Sequence, residues 1–158
     1  MGARSIMLTL LLAVAGCAGA PPAQPPPPLP PPAVLQAAIV GAQDLNPDLK
    51  GRPSPVVLRV FELKAPAGFQ AADFFSLFGR AGDVLGNDLV ATHDLTITPN
   101  DHRPLERQLS PDTRFIGLVA GYREYEVATW RTLIPVSPNA TTRLPIVLRA
   151  RAIQAGEK

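Results

Sequence analysis

The chain has two histidines, His93 and His102, and each sits beside an aspartate, Asp94 and Asp101. A histidine oriented by a carboxylate serves as a general base in many enzymes. Neighbours on an extended strand, however, point to opposite faces, so neither pair forms a natural hydrogen-bonded dyad. The sequence has no HExxH pair to hold zinc, and its single cysteine excludes a cysteine-based site or a disulfide framework. Gly79, Gly82 and Gly86 have the wrong spacing for a dinucleotide fingerprint, and no Gly-Lys-Ser/Thr follows them to close a phosphate loop. No serine occupies a Gly-x-Ser-x-Gly elbow. Glu124 and Glu126 flank Tyr125 and could share one side of a strand, where paired carboxylates do acid–base work. Nothing nearby supplies a third catalytic group, and a solvated strand end or turn is the plainer reading. The residues give no enzyme, no metal and no cofactor.

Positioning even a non-catalytic surface takes a folded scaffold. The 158 residues allow one domain or two very small ones. Charged residues make up 18% and apolar residues 46%, and the net charge is +2 with no block of Lys or Arg, which argues against a nucleic-acid partner. The 19 prolines are unevenly placed: nine fall between Pro21 and Pro32.

The N-terminus has one positive charge, Arg4, then an apolar run from Ile6 to Ala15. That run is too short to span a bilayer, which takes about 20 residues, and has the length of a signal-peptide core. It ends in Val14-Ala15-Gly16-Cys17, which resembles the lipobox of bacterial lipoproteins. Residues 1–16 are then a signal peptide, and the only prosthetic groups expected are acyl chains on Cys17. More than one chain is needed for lasting attachment. Ala18 stands where an Asp would signal inner-membrane retention, so the resemblance implies sorting to the outer membrane. Residues 17–32 comprise this cysteine and a proline-rich tether. Polyproline II rises about 3.1 Å per residue, so residues 18–32 would span about 45 Å fully extended. A proline-rich ligand for a recognition domain is the alternative use of such a stretch.

Residues 33–158 are expected to form one domain. Leu35, Ala37 and Ile39 alternate along Val34–Ala42, Leu95 and Ile97 alternate with Thr96 and Thr98, and Ile146–Ala152 alternates with Arg149 and Arg151. Trp130–Val136 is a further strand. Phe115–Tyr122 is apolar on both faces, as in a strand covered on both sides. Val56–Leu63 has Val56, Leu58 and Val60 on one face, with Phe61 and Leu63 on the other. The cover for that second face is the helical pattern Phe69–Phe78, in which Phe74, Leu77 and Phe78 share a side and Asp73 sits near a favourable helix end. These patterns predict a mainly β, antiparallel two-sheet sandwich with a short helical insert, about residues 69–86, between strands 2 and 3. Phe69, Phe74, Phe75 and Phe78 are read as a satellite core rather than a ligand pocket.

Between the first two strands lies a long irregular segment, Asn46, Pro47, Asp48, Leu49, Lys50, Gly51, Arg52, Pro53, Ser54 and Pro55. Loops on a rigid sandwich often carry recognition. From the residues alone, a recognition loop and a passive, proline-stiffened crossover remain equally open.

The stretch Asn46-Pro-Asp48, Gly51-Arg-Pro53-Ser-Pro55 running into Val56–Lys64 resembles the type VI secretion lipoprotein family TssJ, also called SciN. So do Phe69 with Ala72–Phe78, Leu85–Leu89, Ile116–Ala120 with Arg123, and Trp130-Arg131, together with the lipobox. The proline tether is the main departure. The resemblance implies a transthyretin-like sandwich and a non-catalytic protein anchored in the inner leaflet of the outer membrane, facing the periplasm. It implies binding to the periplasmic C-terminal region of TssM, and through it indirect association with other subunits of the secretion membrane complex. The contact would be made by the Asn46–Pro55 loop, with Asp48, Lys50 and Arg52 as exposed contributors. A periplasmic carrier that binds an apolar small molecule in the sandwich or beneath Phe74–Phe78 is the alternative.

Overall fold

A computed structural model describes residues 30–156. The signal peptide, Cys17 and the tether up to residue 29 lie outside the described residues. In chain order the elements are β1 (Val34–Gly41), β2 (Val56–Leu63), α1 (Ala67–Ala71), α2 (Phe74–Gly79), α3 (Ala81–Leu85), a 3-10 turn (Gly86–Asp88), β3 (Leu89–Ile97), β4 (His102–Gln108), β5 (Phe115–Ala120), β6 (Arg131–Pro135), β7 (Thr141–Leu148) and β8 (Ile153–Ala155). Among the described residues the strands form two sheets, ordered β4-β1-β7-β8 and β3-β2-β5-β6.

Period-two alternation builds the core between the sheets. Leu35, Ala37 and Ile39 of β1 and Leu144, Ile146 and Leu148 of β7 face Val56, Leu58 and Val60 of β2 and Ile116, Leu118 and Ala120 of β5. The first sheet is mixed rather than purely antiparallel, because β7 pairs parallel with β1 from Val34↔Thr141 to Gly41↔Leu148. Parallel neighbours need a crossover, and the chain meets that condition by passing through the second sheet before returning at β7.

Two strands depart from expectation. The predicted strand Ile146–Ala152 breaks after Leu148, where Arg149 N–H donates to the Ala152 carbonyl at 2.9 Å and the chain reverses into β8. Ala150 and Ala152 carry too little side chain to hold an alternating register against that reversal. β4 carries little apolar pattern: among its residues only Leu105 and Arg107 are half-buried, and Pro104 interrupts it. It lies at a sheet edge, where a missing N–H costs no ladder bond.

The outer face of the second sheet carries the helical insert. A single helix over Phe69–Phe78 is replaced by three short ones, and the insert runs from residue 67 to residue 88. The break falls at Ala72-Asp73, both extended, where the Asp73 carboxylate starts α2 by accepting from Ser76 N–H (2.9 Å) and Ser76 Oγ (2.7 Å). A satellite core of Phe61, Leu63, Phe69, Leu77, Leu85 and Val119 forms beneath, with Phe61 and Phe69 edge to face at 5.7 Å. Gly117 of β5 and Gly121, just past its end, make room for it: a Cβ on Gly117 would lie 2.7 Å from the Phe69 ring, and one on Gly121 2.7 Å from the Phe78 ring.

Two arginines from the sheet clamp the insert. Arg59 of β2 grips Asp94 through Nε (2.7 Å) and Nη2 (2.6 Å), while its Nη1 donates to the Phe78 carbonyl at the end of α2. Arg131 of β6 donates to the carbonyls of Phe69 (3.1 Å) and Ala72 (2.7 Å) at the end of α1. These carbonyls have no intrahelical partner, so the guanidinium groups satisfy what short helices leave open. On the inner face, Glu62 is buried and accepts from Thr113 Oγ1 (2.8 Å) and Ser110 N–H (3.2 Å), with His93 Nε2 at 3.4 Å. His93 and Asp94 thus diverge to opposite faces, as their adjacency requires.

Candidate interaction surface

The sandwich has two unlike ends. Pro30–Pro32 enter beside Leu109, Pro111 and Pro138. From there β1 runs eight residues, about 25 Å at strand rise, to Gly41. At that far end the 42–55 loop, the 121–129 turn and the Arg149–Ala152 turn come together. Arg123 N–H donates to Asn46 Oδ1 at 2.9 Å, and Thr129 N–H donates to the Arg151 carbonyl at 2.8 Å.

The loop is anchored at its base and shaped at its tip. Leu45 is fully buried, and Asn46, buried with φ 44°, donates from Nδ2 to the Pro55 carbonyl at 2.8 Å. Beyond it, Asp48 Oδ1 accepts the amides of Lys50 (2.8 Å) and Arg52 (3.0 Å), and Oδ2 accepts Arg52 Nε (2.8 Å). The Arg52 amide, aided by its guanidinium and the Lys50 amide, holds the Asp48 carboxyl down at about 2. Asp48 and Arg52 therefore satisfy each other, leaving Lys50 as the one of the three expected charged contributors with no ion pair among the described residues. The residue this knuckle pushes outward is Leu49, which is fully exposed. Pro47, Asp48, Leu49, Lys50 and Arg52 line one side of a shallow cleft, with Arg123 and Glu124 opposite.

Glu124 and Glu126 lie in the turn after β5, not on a strand. Glu124 pairs with Arg151 Nε at 2.6 Å, which lowers its carboxyl below the usual range. Between the two glutamates, Tyr125 stacks on Phe74 (centroids 4.7 Å apart, 13°) and meets Phe75 edge-on at 5.0 Å. Phe74 also stacks on Phe78 (5.3 Å) and abuts Trp130 (5.3 Å, 82°). Of the four insert phenylalanines, Phe69 is buried and Phe74 and Phe78 are half-buried, but Phe75 is 63% exposed and no part of a core. Val127, two residues past Tyr125, is 71% exposed. No pattern in the sequence places Tyr125 and Val127 at one end with the loop, because that depends on where β5 stops.

Among the described residues no group of three or more His, Cys, Asp or Glu side chains converges as a metal ion would require, and no helix is long and apolar enough to cross a membrane. None of the curated proteins matches the chain. Among solved structures, the type VI secretion lipoprotein TssJ1 of Pseudomonas aeruginosa is 38% identical, with TM-score 0.79, covering 81% of this chain and 98% of its own. Lip of Serratia marcescens, described as a membrane-bound component of the type VI secretion system, is 29% identical with TM-score 0.73, covering 80% and 98%. A chain of a type VI membrane complex shares the fold at 24% identity and TM-score 0.70, covering 78% and 98%. Residues 33–151 match the family model described as type VI secretion lipoprotein, VasD, EvfM, TssJ, VC_A0113. The chain belongs to the type VI secretion lipoprotein family.

Proposed function

We propose that this lipoprotein is acylated at Cys17, sits in the inner leaflet of the outer membrane facing the periplasm, and uses its Asn46–Pro55 loop to bind the periplasmic C-terminal region of TssM. Its contribution is assembly of the secretion membrane complex, without catalysis. The observation that carries this reading is the self-braced knuckle that presents Leu49 at the end of the sandwich opposite the tether. An anchor at one end leaves the other free to reach a partner across the periplasm. A loop already held in shape loses little freedom on binding, and a buried leucine contributes about 1.5–3 kcal/mol. The space beneath Phe74–Phe78 is filled by Phe61, Leu77 and Val119, so an assembly role is proposed rather than a carrier.

The test is calorimetric titration of the soluble chain from Ala18 to Lys158 with the periplasmic C-terminal region of TssM from the same organism. Saturable binding is expected. Replacing Asn46–Pro55 with a short Gly/Ser turn should leave the domain folded and abolish binding, and an unchanged affinity rejects the loop assignment. Cys17→Ser in the full chain should release the protein from the membrane fraction; retention rejects the anchor.

A further inference from the structure

We infer that the docking surface does not end at the loop. It continues across the Arg123–Val127 turn onto Phe75 of the helical insert, and this second part takes another segment of the same partner, one presenting apolar side chains with a basic flank. The inference rests on the loop reading and adds a second contact region to it.

Three observations carry it. First, the path is continuous. The loop is bonded to the turn through Asn46 and Arg123, Pro47–Lys50 and Arg52 line one cleft with Arg123 and Glu124, and the turn is bound to the insert through Tyr125 on Phe74 and Phe75. Second, exposed apolar bulk is concentrated there. Four large hydrophobic side chains are exposed among the described residues, and Leu49, Val127 and Phe75 follow this path, leaving only Val84, at 37%, elsewhere. Scattered single hydrophobes need no explanation, but an aligned set rimmed by charge marks a contact surface, and aromatic anchors dominate such surfaces. Third, Phe75 is rigidly presented. Asp73 caps the start of its helix, Arg59 holds the end, and the Phe74–Tyr125 stack braces one side of the ring, so little order remains to be gained on binding.

Charge sets the chemistry of the occupant. Lys50 and Arg123, on the loop side, have no ion pair among the described residues, and neither has Glu126, between Tyr125 and Val127. A partner that is acidic opposite Lys50 and Arg123 and basic opposite Glu126 is held in one register. The tether enters at the opposite end of β1, which turns this surface away from the anchor and disfavours a lipid bilayer as its occupant.

The test titrates the same TssM region with Phe75→Ala, Val127→Asp and Leu49→Ala variants of the soluble Ala18–Lys158 chain. Phe75→Ala is expected to weaken binding tenfold or more, and Val127→Asp, whose side chain makes none of the aromatic contacts, at least fivefold. Glu126→Lys should weaken binding severalfold at low salt and little at high salt. If Leu49→Ala weakens binding while Phe75→Ala and Val127→Asp stay within twofold of the parent, the second region is overturned and the loop reading stands. If the parent does not bind at all, the loop reading fails first. Binding to anionic vesicles, or self-association, that Val127→Asp abolishes with TssM affinity unchanged assigns the patch to lipid or a second copy and overturns the inference.

Discussion

Strand β2 is flanked by two excursions that are held in opposite ways. The loop before it is braced from within: one carboxylate, Asp48, accepts two amides and a guanidinium from the next four residues. The insert after it is braced from without. Its three helices are too short to persist alone, and their shape comes from Arg59 and Arg131 reaching out of the sheet and from rings packed over Gly117 and Gly121. Damage to the insert should therefore register as lost stability. Damage to the loop should register as a changed shape on an intact domain.

The largest effect should come from Phe69→Ala, which empties the centre of the satellite core and should cost about 3–5 kcal/mol in urea unfolding. If the loss stays below 1 kcal/mol, the insert is not held by its packing. Gly117→Ala comes next: the added methyl meets a buried ring at 2.7 Å, and overpacking of this kind costs about 1–3 kcal/mol. Asp73→Ala should fray α2 alone, seen as faster amide exchange at Ser76 with the strands still protected.

The smallest effect on global stability belongs to Asp48→Ala, which should leave the unfolding midpoint nearly unchanged while the Lys50 and Arg52 amides lose protection. The same knuckle should respond to acid. Its carboxyl titrates at about 2 instead of the ordinary 3.8, so its bonds are fully present above about pH 4 and are lost as pH falls toward 2. An NMR titration in which the Lys50 and Arg52 amides move near pH 4 instead would mean that the loop is not self-braced.

β1 and the first half of β2 were legible because burial and period agree, and β5 because an unbroken apolar run marks a strand covered on both faces. The double-sided pattern of Phe61 and Leu63 correctly demanded a cover. β4 was not legible, since an edge strand with Pro104 and charged residues resembles a loop. The helix break was hidden because an aspartate fits equally as a first-turn acid and as the cap of a new helix. At the surface, the position and length of the loop were readable, but an internal Asp48–Arg52 pair was not distinguished from two charges facing a partner. The aromatic shelf was out of reach, because Tyr125 meets Phe74 only once two sheets and an insert are assembled.

The strand that receives the tether also delivers the loop. β1 lies between β4 and β7, paired from Val34 to Val40 on one side and from Val34 to Gly41 on the other. If the chain is held at its N-terminal end and pulled at the loop, tension runs lengthwise along β1. The covalent backbone of β1 carries that load from end to end, and its ladders to β4 and β7 serve to hold the strand straight and in register rather than to bear the pull. The domain is thereby a mechanical coupling in which force passes from anchor to loop through eight residues of one strand, without being routed through the rest of the sandwich.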